Sequence, residues 1–228
     1  MSLEIKHLQH LCMQAREFFG EQTIISGGDP RDILSETDVK DIDIFTRIED
    51  DEEAYKKFRK SCERFALSLG GKAEIRECEP GYTDHFDLCD ITAPHYKQKI
   101  EIIAVYVDPI DDVHNYDFSI SQVFVTPNGL FQTEKAANDR LFKRITYFHD
   151  VGRSTDAHYR SKARLERLRA KYDGWFFFGI EPLDAMAILE EPDEVTKAEI
   201  EPIQIDVPKQ VPSKFASPFY GEDRTCGL

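Results

Sequence analysis

The sequence predicts an α+β protein: a small sheet flanked by helices, then a C-terminal helix and an extended tail. Three observations carry this reading. Residues 4 to 19 place Ile5, Leu8, Leu11, Cys12, Ala15, Phe18 and Phe19 at helical spacing. Residues 97 to 107, KQKIEIIAVYV, are the strongest β signal in the chain. From Glu190 onward prolines recur at 192, 202, 208, 212 and 218 with few apolar clusters between them, the pattern of an extended segment.

The remaining elements follow in order. Thr23 to Ser26 is short and β-branched, hence a strand. Asp29-Pro30 predicts a helix start, with Asp as N-cap and Pro at the first helical position. Lys40 to Thr46 alternates Ile with Asp and reads as a half-buried strand. Asp51-Glu52-Glu53 puts acids at the positive end of a helix that Gly70-Gly71 closes. Residues 73 to 78, 85 to 93 and 144 to 148 are expected strands. Pro127-Asn128-Gly129 marks a hairpin. Residues 133 to 142 and 155 to 172 are expected helices, and Trp175 to Phe178 is the expected plug docking the second of them. There is no internal repeat.

Composition narrows the function classes. A formal net charge of -14 argues against a protein that coats nucleic acid nonspecifically, which requires a positive field. The charge is uneven: residues 153 to 171 carry seven Lys or Arg against two acids, and residues 173 to 206 carry ten acids against one Lys. Arg160, Arg164, Arg167 and Lys171 share one helical face, so contact with an RNA phosphate backbone is expected there, set against a solvated face paired with the acidic tail. No apolar run approaches the ~20 residues that cross a bilayer, so no membrane partner is expected. The N-terminus lacks the apolar block of a signal peptide. The five scattered cysteines fit reduced thiols and a cytoplasmic location.

The stretch with the most chemistry is IISGGDPRDILSETDVKDIDIFT, residues 24 to 46. Asp41 and Asp43 stand two apart on a strand and so face the same side. Two such carboxylates repel unless a divalent cation joins them, and Mg²⁺ or Mn²⁺ would share oxygen ligands with phosphate. Gly27 and Gly28 sit where a strand hands over to a helix and allow close backbone approach to a phosphate; Arg31 adds a charge-assisted contact. Glu101 is the one acid inside the strongest strand. If that strand lies beside residues 40 to 46, Glu101 joins the two aspartates. His149-Asp150 is a weaker metal candidate, since it lacks further ligands at suitable spacing.

Strand, Gly-Gly, Arg-Asp and then Lys-Asp-Ile-Asp-Ile resembles the nucleotidyltransferase superfamily that includes DNA polymerase β. The closest resemblance is to the head domain of CCA-adding enzymes and bacterial poly(A) polymerases. Gly27, Gly28, Arg31, Asp32 and Lys40 to Ile44 carry it. KIEIIAVYV resembles the strand that supplies the third acid there, and YDFSISQVFVTPNGLF the segment and hairpin that follow, with Tyr116 where an arginine usually stands. The resemblance, over roughly residues 20 to 150, implies a mixed sheet and a head domain over 1–152, followed by a basic neck-like segment over 153–189; composition marks the acidic, Pro-rich tail over 190–228. The resemblance implies Asp41, Asp43 and Glu101 as catalytic metal ligands, Gly27, Gly28 and Arg31 on the triphosphate of an NTP, and Asp117 on the incoming nucleotide. The implied reaction is Mg²⁺-dependent transfer of a nucleoside monophosphate to a hydroxyl, on an RNA 3′ end, a small molecule or a protein, with release of pyrophosphate. The region 154 to 176 lacks the neck motif that selects the base, and the chain lacks room for the helical body that holds tRNA, so CCA addition by this chain alone is not expected. The alternative is a nucleotide-binding or interaction protein on the same fold, with little or no catalysis.

Overall fold

The computed structural model describes residues 4–77, 85–150 and 154–186. In it, the Ile–Asp alternation sets the layering. Strand β2 (Asp41–Arg47) turns Ile42 and Ile44 into the core and Asp41 and Asp43 to the other face. Two helices cover the apolar face, α1 (Ile5–Phe19) and α3 (Glu52–Ser68). Leu8, Leu11, Cys12 and Ala15 of α1 meet Phe58, Cys62, Phe65 and Ala66 of α3 in one cluster with the isoleucines of the sheet. Each Leu, Ile or Phe of this cluster removed from water contributes about 1.5–3 kcal/mol, so this face anchors the domain.

The sheet has seven strands. Their order is β3 (Lys72–Glu77), β4 (His85–Thr92), β5 (Lys99–Val105), β2, β1 (Ile24–Ser26), β6 (Val123–Thr126) and β7 (Gly129–Gln132). All neighbours are antiparallel except β2 and β5, so the sheet is mixed. Parallel neighbours need a long connection, which α3, β3 and β4 supply. At the far end, α4 (Pro109–His114) covers Ile24, Phe45, Ile103 and Val105 through Val113. The hairpin β6–β7 turns through Pro127-Asn128, as the sequence predicts.

The short helix α2 (Gly28–Leu34) departs from expectation. Asp29 is not its N-cap: the helix begins at Gly28 with Gly27 as the capping residue, and Asp29 is buried in the first turn. Gly27 turns the chain at φ +95°, which starts the helix before the Asp-Pro pair is reached.

The C-terminal part builds a second apolar cluster. It comprises α5 (Glu134–Leu141), β8 (Arg144–Thr146), α6 (Thr155–Lys171), β9 (Phe176–Phe178) and α7 (Glu181–Asp184). Leu165, Leu168 and Tyr172 pack against Phe118, Ile120, Ile145, Tyr147 and Leu183. Strand β9 pairs in parallel with β8, so the aromatic run alternates. Trp175 and Phe177 dock, while Phe176 and Phe178 are exposed. The tail 190–228, Cys78 and Cys226 lie outside the described residues.

Two buried aspartates, Asp32 in α2 and Asp117 in the segment after α4, tie α6 and Tyr172 to the rest of the domain. Asp32 accepts from Arg31 Nε at 2.8 Å, from the Tyr172 hydroxyl at 3.1 Å and from Lys171 Nζ. Lys171 also donates to the Asp38 carbonyl at 2.9 Å. Asp117 accepts from Ser161 Oγ at 2.7 Å and from Arg164. Of the basic stripe expected to face RNA, Arg164 and Lys171 are thus engaged by the buried carboxylates of Asp117 and Asp32, which require partners; Arg167 is exposed. Replacing Asp32 with Ala removes the one carboxylate shared by Arg31, Lys171 and the Tyr172 hydroxyl. The expected loss is about 3–5 kcal/mol in urea unfolding, and a loss below about 1 kcal/mol contradicts the clamp.

Candidate active site

Strand register assembles the site. In the parallel pair, Asp43 lies opposite Glu101 and Asp41 opposite Lys99. Asp90 lies opposite Glu101 in turn, and Glu74 opposite Asp90. Opposed residues project to the same face, so Glu74, Asp90, Glu101 and Asp43 form one lateral row of acids. Like charges directly opposite one another repel. On one side of the row, cations offset this. Arg76 Nη2 lies 2.7 Å from Asp90 and 3.2 Å from Glu101. Lys99 Nζ contacts Glu101 and lies 3.6 Å from Asp90.

None of these cations forms an ion pair with Asp43. Burial first, then the charges of Glu101 and Asp41, push its carboxyl up to about 7; Arg31 and Lys99 only moderate the effect. Asp41 is exposed at the mouth of the same face, and Asp43 is half-buried.

Gly27 frames Asp43. A Cβ placed on Gly27 would lie 3.1 Å from Asp43 Oδ2, and φ is +95° with ψ -125°, a region open to glycine. Beside it, a Cβ on Gly28 would lie 3.4 Å from Arg31 Nη2. Arg31 is held by Asp32 and by a 3.2 Å bond from Nη1 to Ser121 Oγ. Thus Gly27, Gly28 and Arg31 border the carboxylates. Asp117 stands apart from the row, with its oxygens engaged by α6.

Asp29 adds a charge that the sequence does not advertise as buried. It is 1% exposed, and neither carboxyl oxygen has a hydrogen-bond partner. The N–H groups of Asp29 and Asp43 temper its charge without reaching hydrogen-bond geometry. Burial, then the charge of Asp43, raises its pKa well above the usual carboxylate range. Tyr116 likewise buries an unbonded hydroxyl, and burial raises its pKa. Sequence reasoning also misses Arg76, Asp90 and Lys99. Lys99 had a signal, since it shares a face with Glu101 at i+2. Arg76 and Asp90 depend on pairing between distant strands.

Among the described residues no three His, Cys, Asp or Glu side chains are drawn together as a metal-binding group. The donor set nevertheless suits a hard cation: it is all carboxylate, mutually repelling at Asp43, and it includes two unbonded buried oxygens on Asp29.

Solved structures share this architecture. The Thermotoga maritima CCA-adding enzyme complexed with tRNA matches with a TM-score of 0.52 at 18% identity, over 79% of this chain and 42% of that one. This is a nucleotidyltransferase fold. A CCA-adding enzyme in complex with CTP matches it with a TM-score of 0.53 at 17% identity, again over 79% of this chain and 42% of that one. A tRNA-processing enzyme complex gives 0.52 at 18% identity, over 73% of this chain and 42% of that one. The likeness is one of fold, related to the head domain of the CCA-adding enzymes, and the chain spans about two fifths of the length of these structures. No protein-family model matches the sequence, and no curated protein matches it significantly.

Two outcomes test the geometry. Gly27→Ala forces a side chain into strained backbone and against Asp43; the expected cost is about 1–3 kcal/mol in urea unfolding. The second concerns pH. The folded-state pKa of Asp43 lies above the ~4 of an unfolded aspartate, so the fold favours its protonated form. That stability is fully present below about pH 4 and is lost as pH rises through about 7. In metal-free buffer, Asp43→Asn is therefore expected to flatten the fall in unfolding midpoint between about pH 5 and pH 8. Parallel pH profiles for the two proteins contradict the assignment.

Proposed function

We propose that this chain is a divalent-metal-dependent nucleotidyltransferase that moves a nucleoside monophosphate from an NTP to a hydroxyl and releases pyrophosphate. One observation carries the reading: Asp43 and Glu101 are held side by side on parallel strands, with Asp41 on the same face and Gly27 against Asp43. Paired carboxylates at a glycine turn suit in-line displacement at phosphorus. Asp41 and Asp43 would hold Mg²⁺ or Mn²⁺. When bound, the ion neutralises their repulsion and shares its remaining positions with phosphate oxygens.

The chain's own residues then divide the work. The turn at Gly27 and Gly28 leaves the triphosphate room that a side chain would fill. Arg31, held by Asp32 and Ser121, presents a fixed positive charge beside it. Glu101 completes the carboxylate set and accepts the proton of the attacking hydroxyl, which requires that it exchange its contacts with Lys99 and Arg76. Asp117 would orient the sugar of the incoming nucleotide, which requires that it exchange a contact with Ser161 or Arg164. The acceptor is an RNA 3′ end, a small molecule or a protein side chain. RNA remains among them because the fold is that of enzymes solved with tRNA and CTP.

A second reading is a nucleotide-binding protein without turnover. The ion pairs on Glu101 and the added charge of Asp29 favour it. Label transfer separates the two. The protein is incubated with Mg²⁺, each α-labelled NTP in turn and a cell extract, beside an Asp41→Ala/Asp43→Ala control. The expected outcome is label on one acceptor class with the intact protein only. Stabilisation by Mg²⁺ and one NTP without transfer favours the binding protein.

A further inference from the structure

We infer that Asp29 is a further ligand of the cation at Asp43, and that it lets this site bind a divalent cation before any nucleotide arrives. The inference rests on the transferase reading in placing a cation at Asp43. It adds a residue and an order of binding.

Asp29 is a buried carboxyl without a partner, and folds rarely keep a buried polar group unsatisfied, because its desolvation is not repaid. Asp29 keeps two unbonded oxygens at 1% exposure. Nearby charge decides what the missing partner is. The acid beside it is Asp43, itself without an ion pair. Its other close acid, Asp32, is already satisfied by Arg31, Lys171 and Tyr172. An anionic phosphate would meet repulsion at Asp29, whereas a hard cation would relieve both Asp29 and Asp43. With two carboxylates from Asp41 and Asp43 alone, such an ion usually relies on substrate phosphates for further charge. A further carboxylate from the turn would supply that charge from the protein.

The test uses the full chain and Mn²⁺ without nucleotide. Free Mn²⁺ is read by electron paramagnetic resonance, and stability by thermal unfolding. The wild type is expected to take up Mn²⁺ and to unfold at a higher temperature when it does. Asp29→Asn is expected to weaken Mn²⁺ binding roughly tenfold or more. Without metal, the same variant is expected to unfold at an equal or higher temperature, because it removes a carboxyl whose burial and unbonded oxygens cost stability. Asp29→Ser repeats the test if Asn disturbs the fold, which circular dichroism reports. Equal Mn²⁺ affinity in wild type and variants overturns the inference. Uptake by the wild type only after a non-hydrolysable NTP is added also overturns it, and leaves the transferase reading standing. No uptake in either condition removes both.

Discussion

The parallel pairing of β2 with β5 brings Asp43 against Glu101, and the rest of the site answers the repulsion between them. Like charges on adjacent strands are a cost that an ordinary sheet avoids. On the β4 side, Arg76 and Lys99 absorb it. On the β1 side Arg31 only moderates it and, among the described residues, no cation pairs with Asp43: the chain turns at Gly27, and burial with the charges of Glu101 and Asp41 leaves the Asp43 pKa raised. The apolar face of the same strands sustains this arrangement, because Ile42, Ile44, Ile100 and Ile102 are locked in the main core. A register slip would expose that whole set, so the charged row is held by packing on the opposite face.

A second constraint acts across the chain. Asp32 follows Arg31 in sequence but is matched by Lys171 and Tyr172, some 140 residues later. Asp117 is matched by Ser161 and Arg164 in the same helix. Helix α6 therefore serves as a strut. Its cations neutralise buried carboxylates next to the glycine turn and next to Tyr116, which keeps Arg31 in place. Removing one partner of such a pair strands the other charge, so the strut and the site are coupled energetically.

Most of the fold was legible because its signals are local. Helical spacing in α1, the Ile–Asp alternation in β2, the apolar run of β5 and the Pro-Asn-Gly turn each depend on a few adjacent residues. Asp41, Asp43 and Glu101 were legible as a group once the two strands were assumed adjacent, and the register makes Asp43 and Glu101 direct neighbours. What the residues did not disclose is where charges end up. Asp29 reads as an N-cap, a surface role, yet is buried because Gly27 starts the helix earlier. The stripe on α6 reads as an outward face, since helical spacing shows which residues share a side and says nothing of what that side meets. Arg76 and Asp90 reach Glu101 only through pairings between β3, β4 and β5. Such partners depend on long-range contacts, beyond any window of neighbouring residues.

The most direct test of the account is a crystal structure with Mn²⁺ and a non-hydrolysable NTP, read by anomalous scattering. The account predicts a Mn²⁺ peak bound by Asp41 and Asp43, with the triphosphate over Gly27 and Gly28 and Glu101 released from Lys99. An empty carboxylate face in crystals that carry the nucleotide elsewhere, with Lys99 still on Glu101, would contradict it.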